Sequence, residues 1–275
     1  MQTLNQDIKT GEFKQIYLLY GEEAFLKNSY KNRLKEAIIG DDTMNFARFE
    51  GKGLDVDELI RLADTMPFFA ERRLILVEDS GFFKSASDAL VQYLPSMPDT
   101  TILLFVETEV DKRNRLYKKV KDMGYAAELN RQDSAQLARW AGGILTREQK
   151  KITKHTMELF LSMAGDDMEN IRMELEKLIS YTLGRDVITD QDVEEICTVR
   201  VTNKIFEMVA AIVTRNTRKA MDLYEDLITL REPPMRILFL IARQFNQILQ
   251  VKELMNQGME KNGIASKLKM QPFVV

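Results

Sequence analysis

A glycine and a lysine six residues apart give the amino-terminal part of the chain the outline of a phosphate-binding loop. The stretch "GEEAFLKN" begins at Gly21 and aligns with the pattern G-x-x-x-x-G-K-[ST]. In that pattern the glycines let backbone N–H groups surround the phosphates, the lysine reaches the outer phosphates and the hydroxyl holds Mg²⁺. Here Lys27 is kept, but Leu26 replaces the second glycine and Asn28 replaces the hydroxyl residue. Two of the three chemical parts of a nucleotide site are therefore missing.

The remaining side chains of this loop also disfavour a polyphosphate. Leu26 crowds the space that a phosphate would fill, and Glu22 and Glu23 add negative charge that repels it. The simplest interpretation makes Gly21 a turn between a strand and a helix, and Lys27 a solvated lysine in the first helical turn. We therefore predict a degenerate phosphate loop that binds no nucleotide, and a chain that uses no cofactor.

Other catalytic arrangements are scarce in the sequence. His155 is the only histidine and Cys197 the only cysteine, so Ser-His-Asp, Cys-His and multi-ligand zinc sites each lack a partner. His155 stands in a polar stretch with helical spacing, which predicts an exposed helix residue. Carboxylates occur mainly in mixtures with basic residues that are typical of a solvated helix face. We predict neither catalytic residues nor a metal site.

Length and composition set the broad class of the protein. A chain of 275 residues, 45% hydrophobic and 29% charged, predicts two or three ordered domains. The formal net charge of −3 argues against a strongly basic nucleic-acid binder that works alone. The single cysteine predicts a cytoplasmic protein, and the polar amino terminus and the shortness of the apolar runs predict no membrane role.

The first half of the chain alternates strand-like and helix-like segments. The predicted strands cover 16–21, 45–51, 73–80, 101–107 and, more weakly, 125–130, and the predicted helices lie near 26–38, 55–65, 85–94, 112–123 and 133–145. Such alternation requires crossover connections, which predicts an α/β fold with a mainly parallel sheet covered by helices on both faces.

The pattern becomes helical throughout from about Thr146. A capping box is predicted from Thr189 to Asp192 at the start of one of these helices. From about Val201 the sequence predicts antiparallel helices that break at Pro233 and Pro234. The carboxyl-terminal half is therefore expected to be all-helical.

Four stretches occur in a fixed order along nearly the whole chain: "IYLLYGEEAFL", "MPFFAERRLILVEDS", "NIRMELEKLISYTLGRDVITDQDVEEI" and "MQPFVV". Together they resemble the delta subunit family of bacterial DNA polymerase III, the clamp-loader component that opens the sliding clamp. The resemblance implies an AAA+-type architecture with three parts. A RecA-like α/β domain that binds the clamp covers 1–145, a helical lid domain covers 146–208, and the amino-terminal part of a helical collar domain covers 209–275.

Family members continue past the segment that "MQPFVV" begins. The resemblance therefore implies that the sequence is truncated within the collar, with Phe273, Val274 and Val275 exposed at its end. Assembly through the collar is then expected to be impaired even if clamp binding survives.

Two adjacent aromatic residues, Phe68 and Phe69, follow Pro67 in "TMPFFAERR". Large apolar residues are mostly core, so the residues alone favour two rings that plug the underside of the following strand. The resemblance reverses this preference, because the family has an apolar pair here that enters a hydrophobic pocket on the clamp. Phe68 and Phe69 are then the clamp-binding residues, with Pro67 stiffening the approach and Met66 filling the edge of the pocket.

The resemblance implies a mechanical function rather than a chemical one. The subunit binds the sliding clamp (the beta subunit) in a geometry that only the opened ring matches, and so shifts the ring toward the open state. ATP hydrolysis belongs to partner subunits of the tau/gamma type, which assemble with delta-prime and with this subunit. Primed DNA is met only within the assembled complex. The resemblance also implies a bacterial cytoplasmic protein of the replisome, associated with the nucleoid.

Two alternatives stay open. An active AAA+ ATPase would need a strand-end acidic pair, for which Glu78 and Asp79 after "LILV" are the candidates. A DNA-binding adaptor would use the basic segment 112–121, with Lys112, Arg113, Arg115, Lys118 and Lys119 as possible phosphate contacts. A solvated helix face explains that basic segment more simply, because no row of aromatic residues accompanies it.

Overall fold

The computed structural model describes residues 1–85, 87–197, 201–268 and 270. The chain divides into two compact units, Met1–Arg131 and Gln132–Val275. The predicted chain end at Phe273, Val274 and Val275 lies outside the described residues.

The first unit is built on a parallel five-stranded sheet with the strand order β2-β3-β4-β1-β5. All five predicted strands are present: β1 Ile16–Tyr20, β2 Phe46–Glu50, β3 Arg73–Glu78, β4 Thr101–Glu107 and β5 Tyr125–Glu128. The three central strands are buried along their full lengths, as expected where helices cover both faces of a parallel sheet. The strands β2 and β5 form the two sides of the sheet and are only partly buried.

Helices connect these strands as the periodicity predicts. They are α2 Ala24–Ile39, α3 Val56–Ala63, α4 Asp88–Tyr93 and α5 Arg115–Met123, with a short 3₁₀ turn at Leu94–Ser96. The core beneath them includes Phe83 and Phe105, whose rings meet edge to face at 5.2 Å.

One helix of the first unit was not predicted. Helix α1, Gln2–Thr10, ends at Gly11, which adopts the left-handed conformation typical of a helix terminus. Its inner face buries Leu4 and also Asp7, which accepts a hydrogen bond of 2.7 Å from the hydroxyl of Tyr17. The buried face of α1 contains an aspartate, so the helix shows no apolar periodicity in the sequence. Asp7 can be buried only because the fold brings the hydroxyl of Tyr17 next to it.

The second unit is mainly helical, as predicted. Its helices are α6 Ser134–Arg147, α7 Lys154–Ala164, α8 Met168–Tyr181, α9 Asp190–Ile196, α10 Val201–Val213, α11 Thr217–Thr229, α12 Pro234–Asn256 and α13 Lys261–Leu268. The prediction that this region is helical throughout misses a parallel pair of two-residue strands, β6 Lys151–Ile152 and β7 Val187–Ile188. Strands of two residues are too short to show a period of two in the sequence.

Local signals set several boundaries of these helices. The predicted capping box of Thr189 and Asp192 is present, and α12 begins at Pro234, where the missing N–H costs nothing. Helices α10, α11 and α12 share an apolar cluster that includes Met208, Leu227 and Ile237. Among the described residues, no helix is both long and apolar enough to cross a membrane.

The division into three domains stays a prediction. Helix α6, which the predicted boundary at residue 145 assigns to the first domain, packs against α7 and α8 within the second unit. Helix α10 runs across the predicted boundary between residues 208 and 209.

Candidate partner-binding site at the amino edge of the sheet

The predicted clamp-binding residues lie in the loop of residues 64–72, which joins α3 to β3 and which we call the aromatic loop. This loop lies at the edge of the sheet where the strands begin, the amino edge. Phe68 and Phe69 are 58% and 95% exposed, and Met66 is 75% exposed. Pro67 is half-buried. The alternative that both rings plug the underside of β3 is therefore wrong.

The two rings lie together because of an unusual backbone conformation. Phe69 has a φ of 49°, in the left-handed region that bulky residues rarely adopt. Adjacent side chains of an extended segment point in opposite directions, whereas this turn brings the two rings into an edge-to-face contact with centroids 4.6 Å apart. A left-handed non-glycine residue costs on the order of 1 kcal/mol or more, so the surrounding structure must hold it in place.

Asn45 holds the centre of the aromatic loop. This residue is fully buried directly before β2, where its Oδ1 accepts the N–H of Phe68 at 2.6 Å and its Nδ2 donates to the carbonyl of Phe68 at 2.9 Å. The same Nδ2 donates to Oδ2 of Asp42 at 2.7 Å. The pKa of Asp42 lies below its ordinary value, mainly because the side chain of Asn45 donates a hydrogen bond to its carboxylate.

Two arginines hold the ends of the loop. The buried guanidinium of Arg73 donates to the carbonyls of Thr65 and Met66 at 3.2 and 3.3 Å. The guanidinium of Arg72 donates to the carbonyl of Gly11 at 3.2 Å and lies over the ring of a nearby phenylalanine. The backbone that carries the exposed rings is thus bonded at several points to the first unit.

Three residues of this site, Asp42, Asn45 and Arg73, were not predicted. The run "DDTMN" before β2 carries a weak signal, since Asp and Asn commonly bond to backbone groups in turns. An arginine at the first position of a buried strand is a second such signal, because a buried charge requires partners.

The degenerate phosphate loop lies at the opposite, carboxyl edge of the sheet. Gly21 has a φ of 120°, and a Cβ added there would lie 2.5 Å from the carbonyl oxygen of Leu129. The glycine is therefore required by the close approach of the loop to the segment after β5. The side chain of Glu23 accepts the N–H of Phe25 at 3.2 Å, so a carboxylate of the chain caps α2 where a nucleotide phosphate would bind.

Lys27 is buried, which corrects the interpretation of this residue as a solvated lysine. Its Nζ donates to the carbonyl of Glu107 at 3.3 Å and to the hydroxyl of Thr108 at 3.4 Å. Burial lowers the pKa of Lys27, and the nearby carboxylates of Asp79, Glu107 and Glu23 offset only part of that effect. Leu26 is also buried and Asn28 is exposed. The lysine folds back onto the end of β4 because that segment supplies its hydrogen-bond acceptors.

The carboxylates at the carboxyl edge also accept hydrogen bonds from other residues of the first unit. Buried Glu107 accepts the N–H groups of Ser80 at 3.0 Å and Gly81 at 3.4 Å and also the hydroxyl of Ser80, yet burial still raises its pKa. Glu78 accepts hydrogen bonds from Lys31 at 2.8 Å and Arg48 at 2.6 Å. Burial opposes the ionisation of Glu78, but these two cations together outweigh it and hold the pKa below its ordinary value.

Three of the five proposed DNA contacts are paired with carboxylates. The pairs are Lys112–Glu128 at 2.7 Å, Arg113–Asp111 at 3.1 Å and Arg115–Asp88 at 2.9 Å. Lys118 is exposed and Lys119 is half-buried. Tyr117 is buried, and its hydroxyl lies 3.1 Å from that of Tyr20, so its ring is not available to stack on a base. Contact between this segment and DNA stays a prediction.

No cluster of metal-binding side chains occurs in the part of the chain that the structure describes. His155 is exposed on α7, as predicted, and lies 3.5 Å from a carboxylate oxygen of Asp190. Cys197 is buried, which raises the pKa of its thiol to about 12.

Two family models match the chain. The model described as the DNA polymerase III delta subunit matches residues 17–129, and the model of the C-terminal domain of that subunit matches residues 202–275. Together they span more than half of the sequence. The chain belongs to the DNA polymerase III delta subunit family.

Relatives and a solved structure agree with this membership. The DNA polymerase III subunit delta of Bacillus subtilis is 29% identical over 283 residues, which cover 98% of this chain and 82% of that protein. A probable DNA polymerase III subunit delta of Aquifex aeolicus is 20% identical and covers 94% and 78%. The solved structure of the Bacillus subtilis DNA clamp loader delta protein is similar with a TM-score of 0.75 and 28% identity, over 99% of this chain and 84% of that one. The predicted family and fold class are confirmed, and the family's role is in DNA replication.

Proposed function

We propose that this delta-family chain binds a replication sliding clamp through Phe68 and Phe69 and opens the clamp's ring, without binding ATP itself. The observation that carries the proposal is a pair of exposed phenylalanine rings on a backbone segment that is bonded to the sheet. Apolar rings that are exposed on a fixed loop are typical of the anchors of protein interfaces. Met66 and Pro67 extend the same apolar surface.

The size of the apolar pair is sufficient for an anchor. Burying two phenylalanines that are otherwise exposed stabilises a complex by about 3 to 6 kcal/mol. The fixed backbone adds to this, because little conformational entropy is lost when the loop binds. A pocket on the clamp that accepts both rings is therefore enough to dominate the affinity.

Ring opening follows if the chain binds the open clamp more tightly than the closed one. A ligand shifts a two-state equilibrium only by its difference in affinity for the two states, about tenfold for each 1.4 kcal/mol. No bond is made or broken by this chain. In this mechanism the energy of ATP belongs to partner subunits of the tau/gamma type, which assemble with delta-prime and with this subunit through the helical second half.

The carboxyl edge of the sheet supports the proposal that this chain does not bind ATP. The side chain of Glu23 caps α2, Lys27 is bonded to the end of β4, and Glu78 is held by Lys31 and Arg48. A nucleotide would have to displace these contacts and approach several carboxylates. An active ATPase is the alternative, and ATP turnover by the purified chain that disappears in Lys27→Met would establish it.

The test of the proposal is clamp binding by surface plasmon resonance with the sliding clamp of the same organism. We expect Phe68→Ala/Phe69→Ala to weaken binding by at least a hundredfold, while its circular dichroism and unfolding midpoint stay those of the wild type. Phe239→Ala is the matched control, because this ring on α12 is also exposed, and it should bind normally. Equal affinity of the wild type and the double variant would refute the proposed site.

A further inference from the structure

We propose that Asn45 is a positioning residue that holds the aromatic loop in the conformation that binds the clamp, and that Asp42 orients the Asn45 amide for this purpose. The inference rests on the proposed function, which supplies the partner. It assigns roles to two side chains that make no contact with the partner in this mechanism.

Asn45 links the sheet to the aromatic loop, because its backbone bonds to β3 and its side chain bonds to the loop. Its carbonyl, directly before β2, accepts the N–H of Leu74 in β3 at 2.9 Å. Its side chain exchanges two hydrogen bonds with the backbone of Phe68, one as acceptor and one as donor. The amide of Asn45 thus satisfies both the N–H and the carbonyl of Phe68, as the backbone of a neighbouring β-strand would.

An amide is the side-chain group that this arrangement requires. A carboxylate can accept the N–H of Phe68 but cannot donate to its carbonyl, and an apolar side chain can do neither. Asp42 accepts the second N–H of the amide, while its other oxygen accepts the backbone N–H of Asn45 at 3.1 Å. This contact fixes the orientation of the amide, so that Oδ1 faces the N–H of Phe68 and Nδ2 faces its carbonyl.

The position of these bonds explains why they bear on binding. They hold residue 68, directly before the left-handed Phe69 that brings the two rings together. Without them the strained turn can relax to conformations in which the rings separate. Only the fraction of molecules with the correct loop conformation can then bind, so the apparent affinity falls by that fraction.

Three variants test the role of the amide. We expect Asn45→Ala to weaken clamp binding about tenfold, and Asn45→Asp to weaken it further, because two carboxylates then face each other. The double variant Asp42→Asn/Asn45→Asp should recover part of the affinity that Asn45→Asp loses, since Asn at 42 can donate to Asp at 45. The unfolding midpoint of each variant, measured beside its affinity, separates a loss of the loop conformation from a loss of the whole fold.

Tyr20→Phe is the matched control. It removes a buried hydroxyl contact with Tyr117 at the opposite edge of the sheet, so it perturbs the same unit without touching the aromatic loop. Its clamp affinity should equal that of the wild type. If Tyr20→Phe and Asn45→Ala weaken binding equally, the positioning role is refuted.

A readout without the clamp separates this inference from the proposed function. Chymotrypsin cleaves after phenylalanine, so the rate of cutting at Phe68 and Phe69 reports how often the loop opens. We expect Asn45→Ala and Asn45→Asp to be cut at least tenfold faster, and Tyr20→Phe to be cut at the wild-type rate. If the wild type fails to bind the clamp, the proposed function fails, and the cutting rates alone decide whether Asn45 holds the loop. Wild-type cutting rates and wild-type affinity in Asn45→Ala would overturn the inference.

Discussion

Phe69 at the amino edge of the sheet is 95% exposed, whereas Lys27 at the carboxyl edge is buried. In open α/β sheets the ligand commonly binds outside the carboxyl ends of the strands. Here that edge is filled by side chains of the chain itself, and the exposed apolar groups stand at the other edge. The difference supports the proposal that the binding surface of this chain lies at the amino ends of the strands.

The two edges also use charge in different ways. At the carboxyl edge, Lys27 donates to the carbonyl of Glu107, Glu78 accepts from Lys31, and Glu107 accepts from the N–H of Ser80. These hydrogen bonds contribute to the stability of the fold. At the amino edge, Asp42 accepts a hydrogen bond from Asn45, which holds the aromatic loop, and Arg73 donates to the carbonyl of Thr65 in that loop. We therefore expect substitutions at the carboxyl edge to change stability and not clamp affinity, and substitutions in the aromatic loop to do the reverse.

Gly21→Ala should have the largest effect on stability. The added Cβ would lie 2.5 Å from a backbone oxygen at a φ of 120°, so we expect a loss of about 3 to 5 kcal/mol in the free energy of unfolding of the first unit. Urea unfolding measures this loss. Gly51→Ala is the control, because it has a φ of 92° but open space around the added Cβ, and should cost only about 1 kcal/mol. Equal losses would mean that backbone strain, not close packing, requires the glycine.

Glu107→Ala should have the next largest effect. It leaves the buried N–H and hydroxyl of Ser80 without their acceptor, at a cost of about 2 to 3 kcal/mol in the free energy of unfolding. Glu107→Gln keeps one acceptor oxygen and should cost less. Clamp affinity of the folded proteins should stay at the wild-type value, and a large loss of affinity would contradict the separation of the two edges.

The smallest effect concerns the pH dependence of stability. Because the folded-state pKa of Glu78 is lowered, its contribution is present above the pKa of the unfolded chain and is lost as the pH falls through the folded value. Glu107 has a raised pKa and acts in the opposite direction, since the folded state binds its proton more tightly. Glu78→Gln should therefore flatten the loss of stability below about pH 4.3, and Glu107→Gln should remove a gain in stability that the wild type makes as the pH falls toward about 4.3. Unfolding midpoints in urea at several pH values would measure both slopes, and parallel curves for the two variants would contradict these assignments.

Much of the fold could be predicted because its signals are local. Five apolar strand segments alternate with helices of matching period, so the parallel sheet follows from the sequence. The missing glycine and hydroxyl of the phosphate loop are likewise visible in the residue types alone. Helix α1 and the strands β6 and β7 were missed, because a buried Asp7 and strands of two residues produce no apolar pattern.

The sequence by itself determined the family, the α/β class and the absence of two parts of the phosphate loop, since each depends on residue types and spacing along the chain. Only the tertiary structure decided that Lys27 is buried, that Phe68 and Phe69 are exposed on one side, and that Asn45 bonds to the backbone of Phe68. Asn45 and Phe68 are 23 residues apart in the sequence. Their contact arises because β2 and β3 are neighbours in the sheet, and no local pattern records which strands become neighbours.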